Sequence, residues 1–113
     1  MIRLATAVLV LGLLTAGCSS ADAPSGEPVA TNQVSLPKSY RFDPADILVD
    51  VGTTVTWTNQ DDFPHNVHLL DGSDRTAELP LGGEGTLAFE DAGTFEYECS
   101  LHPQQMRGTV TVE

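Results

Sequence analysis

Basic side chains are scarce in this chain of 113 residues. Five Lys and Arg stand against sixteen Asp and Glu, so the formal net charge is −11. This scarcity excludes nucleic acid as a partner, because its phosphates would be repelled by so acidic a surface. Acidity of this strength suits attraction towards a basic partner protein. A role in solubility or salt adaptation is the alternative explanation.

The sequence also lacks an apolar run long enough to cross a bilayer as a stable helix. Its most apolar segment, residues 4–14, is about half as long as the roughly 20 residues that a membrane span needs. With Arg3 before it and small residues after it, this run predicts a signal peptide over residues 1–17. Removing that peptide takes away one arginine and no acid, which moves the formal net charge from −11 to −12.

The signal peptide ends on residues 14–18, whose sequence LTAGC resembles a bacterial or archaeal lipobox. The resemblance implies that Cys18 takes a lipid and anchors an exported protein at the outer face of the cytoplasmic membrane or in the periplasm. Acyl chains give membrane affinity in proportion to their buried methylenes. Plain secretion with loss of Cys18 is the alternative.

Residues 18–33 are mostly small and polar, with prolines at 24 and 28, and this composition predicts a flexible tether. The folded domain is then expected over residues 34–113, about 80 residues, which suffice for one core. Its composition leaves Cys99 as the domain's single thiol. A lone thiol in an oxidising compartment needs an explanation, and a disulfide between Cys18 and Cys99 is one that the sequence leaves open.

Helical periodicity of useful length is absent after residue 30. Short runs of alternating apolar and polar residues take its place, separated by turn signals such as Gly52, Asp71-Gly72 and Gly82-Gly83. Such spacing predicts an all-β domain, a sandwich or barrel. Residues 71–84 show the weakest pattern and predict a loop with a short strand at most.

The alternation also predicts which side chains point inward. Cys99 shares its parity with Phe95 and Tyr97, so it is expected to face the core at the end of a strand. His65 shares its parity with Val67 and Leu69 and is expected to point inward where its strand begins. His68 has the opposite parity and is expected to point away from whatever His65 contacts.

One constellation carries chemistry. Cys99, His102 and Met106 place a thiol, an imidazole and a thioether within eight residues, and His65 adds a second imidazole. Two imidazoles, one thiolate and a weak thioether are the ligand set of a blue-copper electron-transfer site. A single inward thiolate also has no neighbour with which to oxidise to a disulfide. The sequence therefore predicts one copper ion, cycling between Cu(I) and Cu(II), and an electron carrier without enzymatic activity.

Several alternatives use the same residues. A copper storage or delivery protein would have the same ligands without a redox role, and a metal-free sandwich would carry them by coincidence. An enzyme of this kind would need more histidines or further domains than the chain offers. Zinc is a poorer match, because structural zinc sites prefer four strong donors and a thioether is weak.

Residues 40–113 resemble the cupredoxins, the family of plastocyanins, amicyanins, pseudoazurins and halocyanins. The resemblance is carried by Pro64-His65-Asn66-Val67, by Gly93 to Cys99, by His102-Pro103 and by Met106-Arg107-Gly108, together with the segment VGTTVTWTN at residues 51–59. It implies a Greek-key β-sandwich with one type 1 copper, strong ligands at His65, Cys99 and His102, and an axial ligand at Met106. It also implies that the Asn66 backbone amide hydrogen-bonds the thiolate and that its side chain ties two loops.

The loop between the second histidine and the methionine departs from the family pattern. Three residues, Pro103 to Gln105, separate His102 from Met106, whereas plastocyanin-like chains have four and amicyanin-like chains two. This leaves the strong ligands unaffected and puts the axial role of Met106 in question. The resemblance implies redox partners such as c-type cytochromes or membrane oxidoreductases, and a monomer.

Overall fold

The computed structural model describes residues 27–113, and within this range all regular structure is β-strand. The predicted signal peptide and the lipidation site Cys18 lie outside the described residues. Over the described range no helix is long and apolar enough to cross a membrane. The nine strands are β1 Val29–Ala30, β2 Gln33–Leu36, β3 Asp46–Val49, β4 Thr53–Asn59, β5 His65–Leu69, β6 Thr76–Leu79, β7 Glu84–Phe89, β8 Gly93–Glu98 and β9 Arg107–Val112.

The strands form two sheets. The larger has the order β1-β3-β9-β8-β5-β6 and the smaller the order β2-β4-β7. Non-consecutive neighbours show that the chain crosses between the sheets, as in a sandwich with Greek-key connections. The predicted all-β sandwich is confirmed. Both sheets are mixed, because β1 with β3, β3 with β9 and β2 with β4 pair in parallel.

Alternating burial along the strands builds the core. In β4, Val55 and Trp57 are fully buried while Thr56 between them is partly exposed. Tyr97 of β8 packs edge-to-face against Trp57, with ring centroids 5.4 Å apart. Its hydroxyl donates a hydrogen bond of 2.7 Å to the Ala45 carbonyl, and burial raises the Tyr97 pKa. The aromatic pairs thus join the two sheets and hold the framework on which the loops stand.

The region with the weakest sequence pattern contains one short strand, β6, as expected. Ala77 and Leu79 are its buried residues, and it pairs antiparallel with β5. Strand β1 and the first residue of β2, Gln33, lie N-terminal to the boundary at residue 34 that the composition suggests. Both residues of β1 are exposed, and Val29 is 49 % exposed. Strand β1 therefore lacks the alternation of buried and exposed residues that a sequence pattern could reveal.

One end of the sandwich gathers the chemically interesting side chains. Strands β8 and β9 are antiparallel neighbours that pair Glu98 with Arg107, so residues 99–106 form the loop between them. Strand β5 lies on the other side of β8, pairing His68 with Glu98. His65 begins β5 three residues before His68, and it therefore lies beside the start of this loop.

Candidate metal centre

The pattern of inward and outward side chains matches the sequence prediction. His65 and Cys99 are 1 % and 0 % exposed, and both belong to the buried interior. His68 points to the other face, where its Nε2 lies 3.4 Å from Asp74 Oδ1. The alternation along β5 and β8 thus brings one imidazole and one thiol together from segments 34 residues apart.

Three donor residues converge. One ligand atom from each of His65, Cys99 and His102 lies within 4.8 Å of the other two. The Cys99 Sγ is 3.7 Å from His65 Nδ1. Within residues 27–113, Cys99 has no disulfide partner. One sulfur and two ring nitrogens so close together can share a single metal ion.

A ring nitrogen of His102 lacks a hydrogen-bond partner. His102 Nδ1 is buried and has no hydrogen-bond partner. A buried polar atom without a partner is costly, so such an atom in a native site calls for an explanation. His102 is one of the three residues whose ligand atoms converge, so a metal ion held by this cluster would give the nitrogen a partner.

The loop over residues 99–106 is closed by backbone hydrogen bonds between the candidate ligands themselves. His102 N donates to the Cys99 carbonyl at 3.1 Å, Met106 N to the His102 carbonyl at 3.0 Å, and Cys99 N to the Met106 carbonyl at 3.1 Å. Met106 is fully buried. The three-residue spacing between His102 and Met106 therefore forms a compact turn that keeps these backbones together without a metal.

Asn66 ties the two ligand-bearing segments. Its Oδ1 accepts a 2.8 Å hydrogen bond from the Ser100 backbone N–H, and its Nδ2 donates to Ser100 Oγ at 2.6 Å. Because Asn66 follows His65 and Ser100 follows Cys99, these bonds fix the two candidate ligands relative to each other. The side-chain link expected from the resemblance is present; the bond from the Asn66 amide to sulfur stays a prediction.

Two contacts were not anticipated from the sequence. Asp61 Oδ2 accepts a 2.8 Å hydrogen bond from His65 Nε2, and this bond lowers the pKa of Asp61 below its ordinary value. Tyr40 packs against both imidazoles: its ring centroid is 4.7 Å from that of His102 and 5.9 Å from that of His65. An acid four residues before a candidate ligand is the only sequence signal that could have pointed to Asp61.

Comparison with known proteins agrees with this geometry. The family model described as copper binding proteins, plastocyanin/azurin family, matches residues 30–113. Amicyanin from Paracoccus denitrificans is 37 % identical, over 97 % of this chain and 92 % of its own length. Halocyanin from Natronomonas pharaonis is 44 % identical, over 66 % of this chain and 49 % of its own length.

Solved structures show the same similarity. A purple cupredoxin from Nitrosopumilus maritimus is 33 % identical, with a TM-score of 0.62 over 72 % of this chain and 98 % of its own. The reduced state of an amicyanin variant is 33 % identical, with a TM-score of 0.64 over 82 % of this chain and 88 % of its own. The match to the family model, residues 30–113, includes strands β2 to β9 of the sandwich.

Proposed function

Because this chain belongs to the plastocyanin/azurin family of copper-binding proteins, we propose that it is an exported carrier of single electrons. Its copper is held strongly by His65, Cys99 and His102 and weakly by Met106. The observation that carries the proposal is the convergence of one thiol and two imidazoles within 4.8 Å at one end of the sandwich. When bound, the copper supplies the one-electron couple between Cu(I) and Cu(II).

The donor set suits a carrier because it fits both oxidation states. Thiolate is a soft ligand that favours Cu(I), and imidazole binds either state well. Cys99 and His102 belong to a turn closed by its own backbone hydrogen bonds, and His65 begins a paired strand. A framework that is already ordered moves little when the charge of the site changes, which favours rapid electron exchange.

Burial separates the ligands by role. His65, Cys99 and Met106 are within 1 % of complete burial, whereas His102 is partly exposed. His102 lies between Leu101, which is 56 % exposed, and Pro103. A partner docked on this small apolar surface would touch the ring of a ligand directly. Small contacts of this type give the weak, quickly reversed association of redox encounters.

The acidic surface indicates the kind of partner. With sixteen acids against five basic residues, the chain would attract a basic redox protein, such as a c-type cytochrome or the basic face of a membrane oxidoreductase. Lipidation at Cys18 would hold the carrier near a membrane partner, at the outer face of the cytoplasmic membrane or in the periplasm. We propose no enzymatic activity, since the described residues offer one cluster of this kind.

Reversible voltammetry of the copper-loaded protein tests the carrier role. We expect a reversible one-electron wave, with the copper content of the protein unchanged after repeated cycling. A storage or delivery protein would instead lose copper in one oxidation state, and the wave would decay from cycle to cycle. That outcome would replace the carrier proposal with metal handling.

A further inference from the structure

A buried carboxylate lies directly behind the His65 ring. Asp61 is 8 % exposed, and its Oδ2 lies 2.8 Å from His65 Nε2, on the opposite side of the imidazole from Cys99. The side chains of the two residues are 4 % and 0 % exposed. Burying a carboxylate is unfavourable unless it is paired and hydrogen-bonded. This placement therefore needs a reason beyond packing.

The chain orders this carboxylate by hydrogen bonds that do not involve His65. Asp61 Oδ1 accepts a bond from the Asp62 N–H at 2.8 Å, and the Asp61 N–H donates to Asn59 Oδ1 at 2.9 Å. Asn59 is itself buried, and its Nδ2 donates to the carbonyls of Phe63 and Leu79 at 2.8 and 3.0 Å. The loop before His65 is thus built around Asn59, and it presents Asp61 to the ring in a fixed position.

Among the residues that the structure describes, no lysine or arginine forms an ion pair with Asp61. Within residues 27–113 its recorded ion-pair partner is His65, while the nearby Lys38 pairs with the exposed Asp62 at 3.3 Å. Under the proposed function, a second positive charge near Asp61 is the copper ion, which would lie on the far side of the His65 imidazole.

We propose that Asp61 is a positioning residue for the copper centre, one that accepts the Nε2–H of His65 and places a negative charge behind that ligand. Accepting this hydrogen bond favours the tautomer that carries its proton on Nε2. The lone pair of Nδ1 is then free to bind a metal ion, on the side of the ring that faces Cys99. The carboxylate also makes the imidazole a stronger donor, and this favours Cu(II) over Cu(I). The inference rests on the proposed function, because it concerns the same site.

The effect of losing Asp61 on copper affinity can be estimated from other metal sites. Mutation of a group that orients a metal-bound histidine typically costs about 10- to 100-fold in metal affinity. If the loss of affinity falls mainly on Cu(II), each tenfold fall in the affinity for Cu(II) relative to Cu(I) raises the reduction potential by about 59 mV. The carboxylate therefore acts to lower the potential of this protein.

Asp61→Asn tests the charge, and Asp61→Ala tests charge and hydrogen bond together. Asn can still accept the Nε2–H through its amide oxygen, so it removes the charge while keeping the shape. Asp62→Asn is the matched control, since it removes one neighbouring acid whose side chain is 70 % exposed. We expect Asp61→Asn to weaken Cu(II) binding at least tenfold and to raise the potential, and Asp62→Asn to change both little. Equal potentials in the Asp61→Asn protein and the wild type would overturn the electrostatic part of the proposal.

A second readout needs no copper. Nitrogen NMR of the copper-free protein at alkaline pH, where the imidazole is neutral, reports which ring nitrogen of His65 carries the proton. We expect Nε2–H in the wild type and in Asp61→Asn, and a mixture of tautomers in Asp61→Ala. Finding the proton on Nδ1 in the wild type would overturn the positioning role. A protein that fails to form a blue centre yet shows the Asp61-dependent tautomer would refute the carrier function and keep the positioning role.

Discussion

Replacing Asn66 by Ala removes the cross-link between the two ligand-bearing segments. The substitution loses the bond to Ser100 Oγ and the bond from Ser100 N–H, and it leaves that backbone donor without its partner. Each lost hydrogen bond contributes about 0.5–1.5 kcal/mol. Ser100 is exposed, so water can pair with its freed N–H and the cost of a buried unpaired donor does not apply. Because two such bonds are lost, we expect destabilisation of about 1–3 kcal/mol.

Ser100→Ala is the matched control for this prediction. It removes the hydroxyl but keeps the backbone N–H that donates to Asn66 Oδ1, so one of the two bonds survives. We expect a smaller cost, about 1 kcal/mol. The free energy of unfolding is to be measured by urea denaturation of the copper-free proteins, where a shift of midpoint at constant slope reports stability. If Asn66→Ala costs no more than Ser100→Ala, the cross-link does not hold the two segments together.

Three further predictions concern the framework and the surface. Gly108→Ala should destabilise the copper-free fold by more than about 2 kcal/mol in urea denaturation, because a Cβ there would overlap the Ala45 carbonyl and the Tyr97 hydroxyl; an unchanged midpoint would contradict the close approach. Leu101→Glu should slow electron exchange with a protein donor while leaving the copper spectrum unchanged, and unaltered kinetics would exclude this docking face. Association with a basic donor should slow as ionic strength rises, because salt screens the attraction; a flat salt dependence would refute steering by the acidic surface.

One local rule, alternation along a strand, predicts which of the candidate ligand residues in the strands point inward. Alternation along a strand places Cys99 on the inward side with Tyr97, and the same rule places His65 inward and His68 outward. The all-β class follows from the same runs, and the family similarity confirms both the fold and copper as the cofactor. The identity of each ligand, above all the axial role of Met106, stays a prediction.

What the sequence could not predict depends on contacts between distant segments. Tyr40 reaches His102 across 62 positions, from a turn in which Ser39 and Tyr40 both have positive φ, and no periodicity signals such a turn. Asp61 is one of two adjacent acids in a polar turn. Asp61 is buried and bonded to Asn59, which is anchored on the distant Leu79 carbonyl, whereas Asp62 stays at the surface. Strand β1 pairs in parallel with β3, and β2 pairs in parallel with β4. These pairings likewise depend on distant partner strands, which the residues of β1 and β2 do not reveal.

The most direct test of the copper centre is to add Cu(II) to the purified protein and record its visible and electron paramagnetic resonance spectra. If Cys99 and the two histidines share one copper, wild-type protein will show an intense blue charge-transfer band and a narrow copper hyperfine splitting, and Cys99→Ser will show neither. Cu(II) that binds with the same spectra in wild type and Cys99→Ser would contradict the account, because the thiolate would then not be a ligand.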